Sequence, residues 1–97
     1  MKKFTEVKEK NMETLRQYVP VVERVHGESH PEFYDVKKIF DIMDEQIKNN
    51  KAEDLKLEDE FKELREVTED YKVPSDTCET YEAVYNMLSE LDKAYFE

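Results

Sequence analysis

The sequence predicts an all-α fold, an up-and-down four-helix bundle in a single domain of residues 1–97. Apolar residues recur at alternating three- and four-residue steps in four segments, which is the period of a helix with one buried face. The chain holds one glycine and is 41% charged, as expected of long helices with solvated outer faces. The joins predicted at residues 27–30 and 72–75 are short enough to require antiparallel neighbours, whereas residues 49–56 form a longer connection.

The first predicted helix carries its apolar stripe over residues 4–25. Pro20 lies inside it and is expected to kink or restart the helix, because proline removes one backbone hydrogen bond. Asn11 interrupts the stripe, either as a polar residue that sets the register of packing or as a position that once held a ligand. Gly27 is predicted to end this helix in the left-handed conformation, which glycine adopts without strain.

The other three helices are predicted from stripes at residues 33–47, 57–71 and 78–95. Ser29 with Glu32 has the spacing of a capping box before the second helix, and Asp76 with Glu79 repeats the pattern before the fourth. Asp54 is the expected cap of the third helix. These residues therefore divide the chain at the same places as the stripes.

Composition restricts the classes of partner. The net charge of −10 repels nucleic acid and anionic lipid, whereas a basic protein partner fits it. No stretch approaches the roughly 20 apolar residues of a membrane span, and no apolar segment follows Lys2 and Lys3 to make a signal peptide. Cys78 is the only cysteine, so a reducing, cytoplasmic location is expected. A homodimer is also allowed, because further apolar positions widen two stripes: Ile39, Ile42, Val84 and Met87.

The two histidines are the candidate metal ligands. His26 and His30 have the i, i+4 spacing used for zinc or iron on a continuous helix, with Glu23, Glu28 and Glu32 nearby as carboxylate ligands. The alternative is structural, with His26 bonding the last carbonyls of the first helix and His30 capping the second. The spacing therefore leaves both a site for one iron or zinc ion and a pair of helix-end residues as hypotheses.

The remaining chemically active side chains favour packing over catalysis. Cys78 falls on the apolar stripe of the fourth helix and is predicted to be buried and inert. Tyr81, Tyr85 and Tyr95, with Tyr71 before them, predict an aromatic seam with hydroxyl groups at its edge. No nucleophile, base and orienting group stand in a recognisable pattern, so we expect no enzymatic turnover and no resident cofactor beyond a metal ion.

Two segments resemble a known family. Residues 25–33, VHGESHPEF, are similar to the turn motif of the iron–sulfur cluster repair di-iron proteins, the RIC (ScdA-like) family of hemerythrin-like bundles. Residues 64–74, LREVTEDYKVP, resemble that family's third-to-fourth helix region, as do the residues that follow: Asp76, Cys78, Glu79, Tyr81 and Tyr85. The resemblance is to short, stand-alone members and covers the chain from about the first helix to its end.

The resemblance implies a hemerythrin-like bundle and a role in restoring iron–sulfur clusters damaged by oxidative or nitrosative stress. Full-length members bind two irons through histidines and glutamates on all four helices. Here Asn11 stands near the place of one expected histidine and Phe96 near another, while residues 44–51 and 58–66 contain none. We therefore expect an accessory or interaction protein without a complete di-iron site. The alternatives are a single-metal protein using His26 and His30, and an acidic helical scaffold for a basic partner.

Overall fold

The computed structural model describes residues 2–97, apart from the side chains of residues 2 and 52. The described chain forms four α-helices and no strand: α1 (Lys2–His26), α2 (Glu32–Asn49), α3 (Glu58–Thr68) and α4 (Glu79–Tyr95). A short 3₁₀ helix, Ala52–Asp54, interrupts the connection between α2 and α3. The predicted all-helical class is confirmed. Pro20 does not restart α1, which is assigned as one helix through that residue.

The helices surround one core. α1 packs on α4 and on α2, and α2 packs on α3. Phe4 near the start of α1 contacts Tyr95 at the end of α4, and His26 at the end of α1 contacts Tyr81 near the start of α4. These two contacts show that α1 and α4 run antiparallel. The largest side chains that are completely enclosed come from all four helices and include Phe4, Leu15, Phe33, Phe61, Tyr81 and Leu88.

The predicted stripes supply this core, with one polar member. Asn11 is only 5% exposed, and its Nδ2 has no hydrogen-bond partner among the described residues. Ile39 and Val84, which were predicted to widen an external stripe, are buried, and Met87 is half-buried. Of the four residues offered for a dimer face, Ile42 alone is strongly exposed, because α2 and α4 use the others internally.

Gly27 is required for a different reason from the predicted one. Its φ is not positive, so it does not adopt the left-handed conformation. A Cβ at this position would lie 2.8 Å from the Tyr34 ring and 2.5 Å from the Glu23 carbonyl oxygen. The absence of a side chain therefore allows the Tyr34 ring to lie against the end of α1.

The predicted side-chain caps do not form. No cap hydrogen bond from a side chain is found at the start of α2, α3 or α4, whose N-cap residues are Pro31, Leu57 and Cys78. Asp54 belongs to the 3₁₀ helix instead. Glu32 and Asp76, members of the two predicted boxes, both lie close to the His30 ring. The residues predicted to cap α2 and α4 thus contact the His30 ring.

α3 ends earlier than its stripe predicted. Glu69, Asp70 and Tyr71 all have positive φ, at 53°, 61° and 65°, so the connection to α4 covers residues 69–78 rather than 72–75. Three consecutive left-handed non-glycine residues are strained. Thr68 holds the turn, since its Oγ1 accepts the Tyr71 amide at 2.8 Å and donates to the Leu64 carbonyl at 2.6 Å.

Polar side chains connect α3 to α4. Arg65 donates two hydrogen bonds to the buried carboxylate of Asp92, from Nε at 2.8 Å and from Nη2 at 2.5 Å. The Tyr71 hydroxyl donates to the same carboxylate at 2.7 Å. Burial and the Asp92 charge both raise the pKa of Tyr71. Asp92 therefore joins the strained turn to both helices, a role that the sequence analysis missed.

Candidate functional site

The two segments that carry the family resemblance meet at one end of the bundle. There the end of α1, the start of α2 and the start of α4 converge. Six side chains of these segments contact one another here, all but the His30–Glu32 pair across long sequence separations, and we call this group the histidine end: His26, His30, Glu32, Asp76, Cys78 and Tyr81. The opposite end of the bundle holds no histidine, since the chain has only these two.

His26 and Cys78 form a thiol–imidazole pair. The Nε2 atom of His26 lies 3.2 Å from the Sγ atom of Cys78, across 52 positions of sequence. Cys78 is the N-cap residue of α4 and is exposed, so the prediction that it is buried is wrong. The helical period placed it one turn before Tyr81 on the buried face, but the chain is already extended at Cys78, with φ −91° and ψ 172°.

His30 lies between two carboxylates. Its Nδ1 is 3.3 Å from Oε2 of Glu32, and its Nε2 is 3.0 Å from Oδ1 of Asp76. The second contact has the distance of an ion pair but not the angle of a hydrogen bond, so the enclosed Nε2 atom lacks a hydrogen-bond partner in the described structure. The imidazole thus holds the start of α2 against the connection that leads to α4.

The Tyr81 ring packs against both histidine rings. Its ring centroid lies 5.5 Å from that of His26 and 5.6 Å from that of His30, both in edge-on geometry. It also contacts Phe33 at 5.2 Å and Tyr85 at 4.8 Å, and the two tyrosine hydroxyls are 3.1 Å apart. Burial raises the pKa of Tyr81. The predicted aromatic seam is confirmed as core packing, and it orients the imidazole rings.

A surface groove opens beside the thiol. It has a volume of about 260 Å³ and is formed by the last residues of the α3–α4 connection and the first turn of α4. Val73 and Pro74 provide apolar walls, and Glu79 and Glu82 provide carboxylates. Cys78 lines this groove and is exposed, and its Sγ atom also contacts His26.

The predicted metal ligands are brought to this region but not into one cluster. His26 faces Cys78, while His30 faces Glu32 and Asp76. Glu23 lies one turn before Gly27, and its backbone carbonyl accepts the Gly27 amide. Within residues 2–97 no three histidine, cysteine or acidic side chains are grouped so that they could hold a metal ion. A site for one iron or zinc ion at His26, His30, Glu23 and Glu32 stays a prediction.

Sequence reasoning missed the pairing of His26 with Cys78. Both residues were considered, but one was assigned to a turn and the other to a core stripe. The signal that could have joined them was the predicted topology, because the end of α1 and the start of α4 share an end of an antiparallel bundle. That argument gives proximity alone, whereas the 3.2 Å contact depends on how each helix is rotated about its axis.

The fold and the site define a small helical bundle with an accessible thiol–imidazole pair at one end. No family model, curated protein or solved structure matches this chain. Within the described residues, no helix has the length and apolar character needed to cross a membrane.

Proposed function

We propose that this chain is an up-and-down, hemerythrin-like bundle related to iron–sulfur cluster repair that lacks a complete di-iron site. It acts as an accessory or interaction protein in the response to oxidative or nitrosative stress. The observation that carries the proposal is the contact between the two segments with family resemblance, which pack together through His26 and Cys78, through His30 and Asp76, and through Phe33 and Tyr81.

The composition of the core supports the proposal that the chain lacks a complete di-iron site. A hemerythrin-type centre needs histidines and glutamates projecting inward from all four helices. The buried polar side chains found among the described residues are Asn11, Thr68 and Asp92. Of these, Thr68 and Asp92 hold the α3–α4 connection, and Asn11 offers an amide in place of an imidazole. Aromatic and aliphatic side chains fill the rest of the interior.

Charge supports a role in protein interaction. The net charge of −10 favours a partner with a basic surface, which long-range attraction would bring to the bundle faster at low ionic strength. A cytoplasmic location, with a reduced Cys78, is part of this proposal. The association would weaken as salt is raised, because exposed charges are screened over about 8 Å at physiological ionic strength.

Iron reconstitution tests the proposal. The chain is purified without an affinity tag and without chelator, then incubated anaerobically with ferrous iron, desalted and exposed to air. We expect well under one iron per chain and no absorption band of an oxo-bridged pair. Two irons per chain with such a band would contradict the proposal. A full-length repair protein of the resembling family, loaded in parallel, serves as the positive control.

A further inference from the structure

We propose that Cys78 is a modification site that undergoes thiol–disulfide exchange with small, positively charged disulfides, with His26 as its general base. This inference does not depend on the proposed role in iron–sulfur cluster repair. It rests on the contact between the two side chains, the exposure of the thiol and the charge of the adjoining groove.

The first step in the argument is the pairing of sulfur with a proton acceptor. Only the thiolate attacks a disulfide, so a base within hydrogen-bond reach of the sulfur supplies the nucleophile by taking its proton. Nε2 of His26 lies 3.2 Å from Sγ of Cys78, which allows the transfer when the ring carries its own proton on Nδ1. Tyr81 contacts the His26 ring edge-on and restricts its movement.

The exchange is balanced without a further oxidant. Sγ of Cys78 attacks one sulfur of the disulfide, a new sulfur–sulfur bond forms, and the original one breaks. The second sulfur leaves as a thiolate and takes the proton held by His26. The small disulfide is reduced by one thiol equivalent and Cys78 is oxidised by the same amount.

The mixed disulfide at Cys78 should be long-lived, because the chain has no second cysteine to resolve it. Cys78 is the only cysteine of the chain, so no second thiol can displace the added group from within the molecule. Release then requires an external thiol. The chain is therefore suited to carry a record of disulfide exposure rather than to pass oxidation on by forming its own disulfide.

The groove selects the charge of the disulfide. Glu79 and Glu82 line it, and Asp76 precedes Cys78 by two positions. Among the described residues no lysine or arginine lines the groove, and the chain as a whole has a net charge of −10. A cationic disulfide is attracted to this site and an anionic one is repelled, whereas Val73 and Pro74 accommodate the methylene groups of either.

The experiment measures the rate of mixed-disulfide formation by intact mass at neutral pH and low salt. The probes are cystamine, which is cationic, 2-hydroxyethyl disulfide, which is neutral, and 3,3′-dithiodipropionate, which is anionic. We expect cystamine to react about three- to tenfold faster than the anionic probe, with the difference lost at high salt. Equal rates at low salt would overturn the charge selection, and Cys78→Ser must abolish the adduct.

The role of His26 is tested with a matched histidine. His26→Asn should slow the reaction with the neutral probe by about tenfold or more, which is the lower range of general-base contributions. His30→Asn is the control, because His30 contacts the same Tyr81 ring but is not paired with Cys78. An unchanged rate in His26→Asn would overturn the proposal. His26→Gln replaces this variant if circular dichroism shows lost helix.

The contribution of the groove has its own variant. Glu79→Gln combined with Glu82→Gln should lower the ratio of the cystamine rate to the 3,3′-dithiodipropionate rate, because it removes both carboxylates that line the groove. Glu63→Gln with Glu66→Gln removes the same charge from the exposed face of α3, away from the thiol, and should keep most of the preference. If both double variants lost the preference for cystamine equally, selection by the groove would be contradicted.

Discussion

At the end of the bundle where α1 begins, Tyr95 satisfies the polar groups of the α2–α3 connection. Its hydroxyl accepts the Leu57 amide at 3.0 Å and contacts the Glu58 carboxylate, while its ring packs on Phe4 and Phe61. We call this the aromatic end. At the histidine end, Tyr81 packs on the rings of His26 and His30. The first ring adjoins the exposed thiol of Cys78, and the second has a nitrogen atom without a hydrogen-bond partner among the described residues.

The two ends differ in what they contribute: the aromatic end contributes to stability, whereas the histidine end carries the reactive groups. The aromatic end closes with apolar contacts and a hydroxyl whose partners are all within the chain, so it contributes to folding. The histidine end leaves an exposed thiol beside an imidazole, a group that can still act on an external molecule. Substitutions at the two ends should accordingly differ in kind, and the following predictions are ordered from the largest expected effect to the smallest.

Phe61→Ala at the aromatic end should give the largest loss. Phe61 is completely buried and contacts Tyr95, so truncation should lower the free energy of unfolding by about 3–5 kcal/mol. Urea denaturation followed by circular dichroism measures this. Phe96→Ala is the control, since Phe96 adjoins Phe61 but is half-exposed, and it should cost less than half as much. Equal losses of unfolding free energy in Phe61→Ala and Phe96→Ala would show that burial of Phe61 does not stabilise this end of the bundle.

Gly27→Ala at the histidine end should lower the free energy of unfolding by about 1–3 kcal/mol, because the new methyl group overlaps a backbone carbonyl and the Tyr34 ring. Adding Tyr34→Ala should recover part of that loss by removing the ring. A fully additive double variant would mean that Gly27 and Tyr34 are not coupled. The same denaturation assay applies to all three variants.

Alkaline pH should destabilise both ends together. Burial raises the pKa of Tyr85 at the histidine end and of Tyr95 at the aromatic end above the ordinary value of 10.0. The unfolded chain then releases its phenol protons first, so stability is fully present below pH 10 and falls as pH rises through it. We expect the free energy of unfolding to fall steadily from pH 10 to pH 11. Tyr85→Phe should reduce the fall, and a pH-independent stability would contradict the prediction.

Asp41→Asn should have the smallest effect. Asp41 pairs with Lys37 on the exposed face of α2, at i, i+4 spacing and a distance of 2.6 Å. Such exposed pairs contribute about 0.3–0.5 kcal/mol, less at high salt. The variant provides a baseline against which the end-specific losses are judged. A loss above about 1 kcal/mol would show that this face is not simply solvated.

Most of the fold could be predicted because its causes are local. The apolar stripes of α1, α2 and α4 appear in the sequence at helical spacing, and burial of one face is their common consequence. The candidate site was predicted only in part. His26 and His30 were chosen for their spacing, but Cys78 was assigned to the core, and Asp76 was treated as a cap.

Local rules failed where a tertiary contact competed with them. Asp76 contacts the His30 ring and does not cap α4, and the Asp92 carboxylate accepts a hydrogen bond from Tyr71 across the gap to α4. α3 therefore ends in a left-handed turn that its apolar period did not indicate. Gly27 illustrates the same point, since the need for glycine comes from a neighbouring ring and not from its own backbone angles.

The sequence by itself determined four helices, their approximate limits and which face of each is buried, because helical periodicity and chain breaks act over a few residues. Only the tertiary structure decided that the imidazole of His26 meets the thiol of Cys78, 52 positions away. That contact depends on the rotation and offset of α1 against α4, which are set by the packing of the whole core around Tyr81 and Phe33. Periodicity specifies the buried face of a helix, but it does not specify which side chains meet at the end of the bundle.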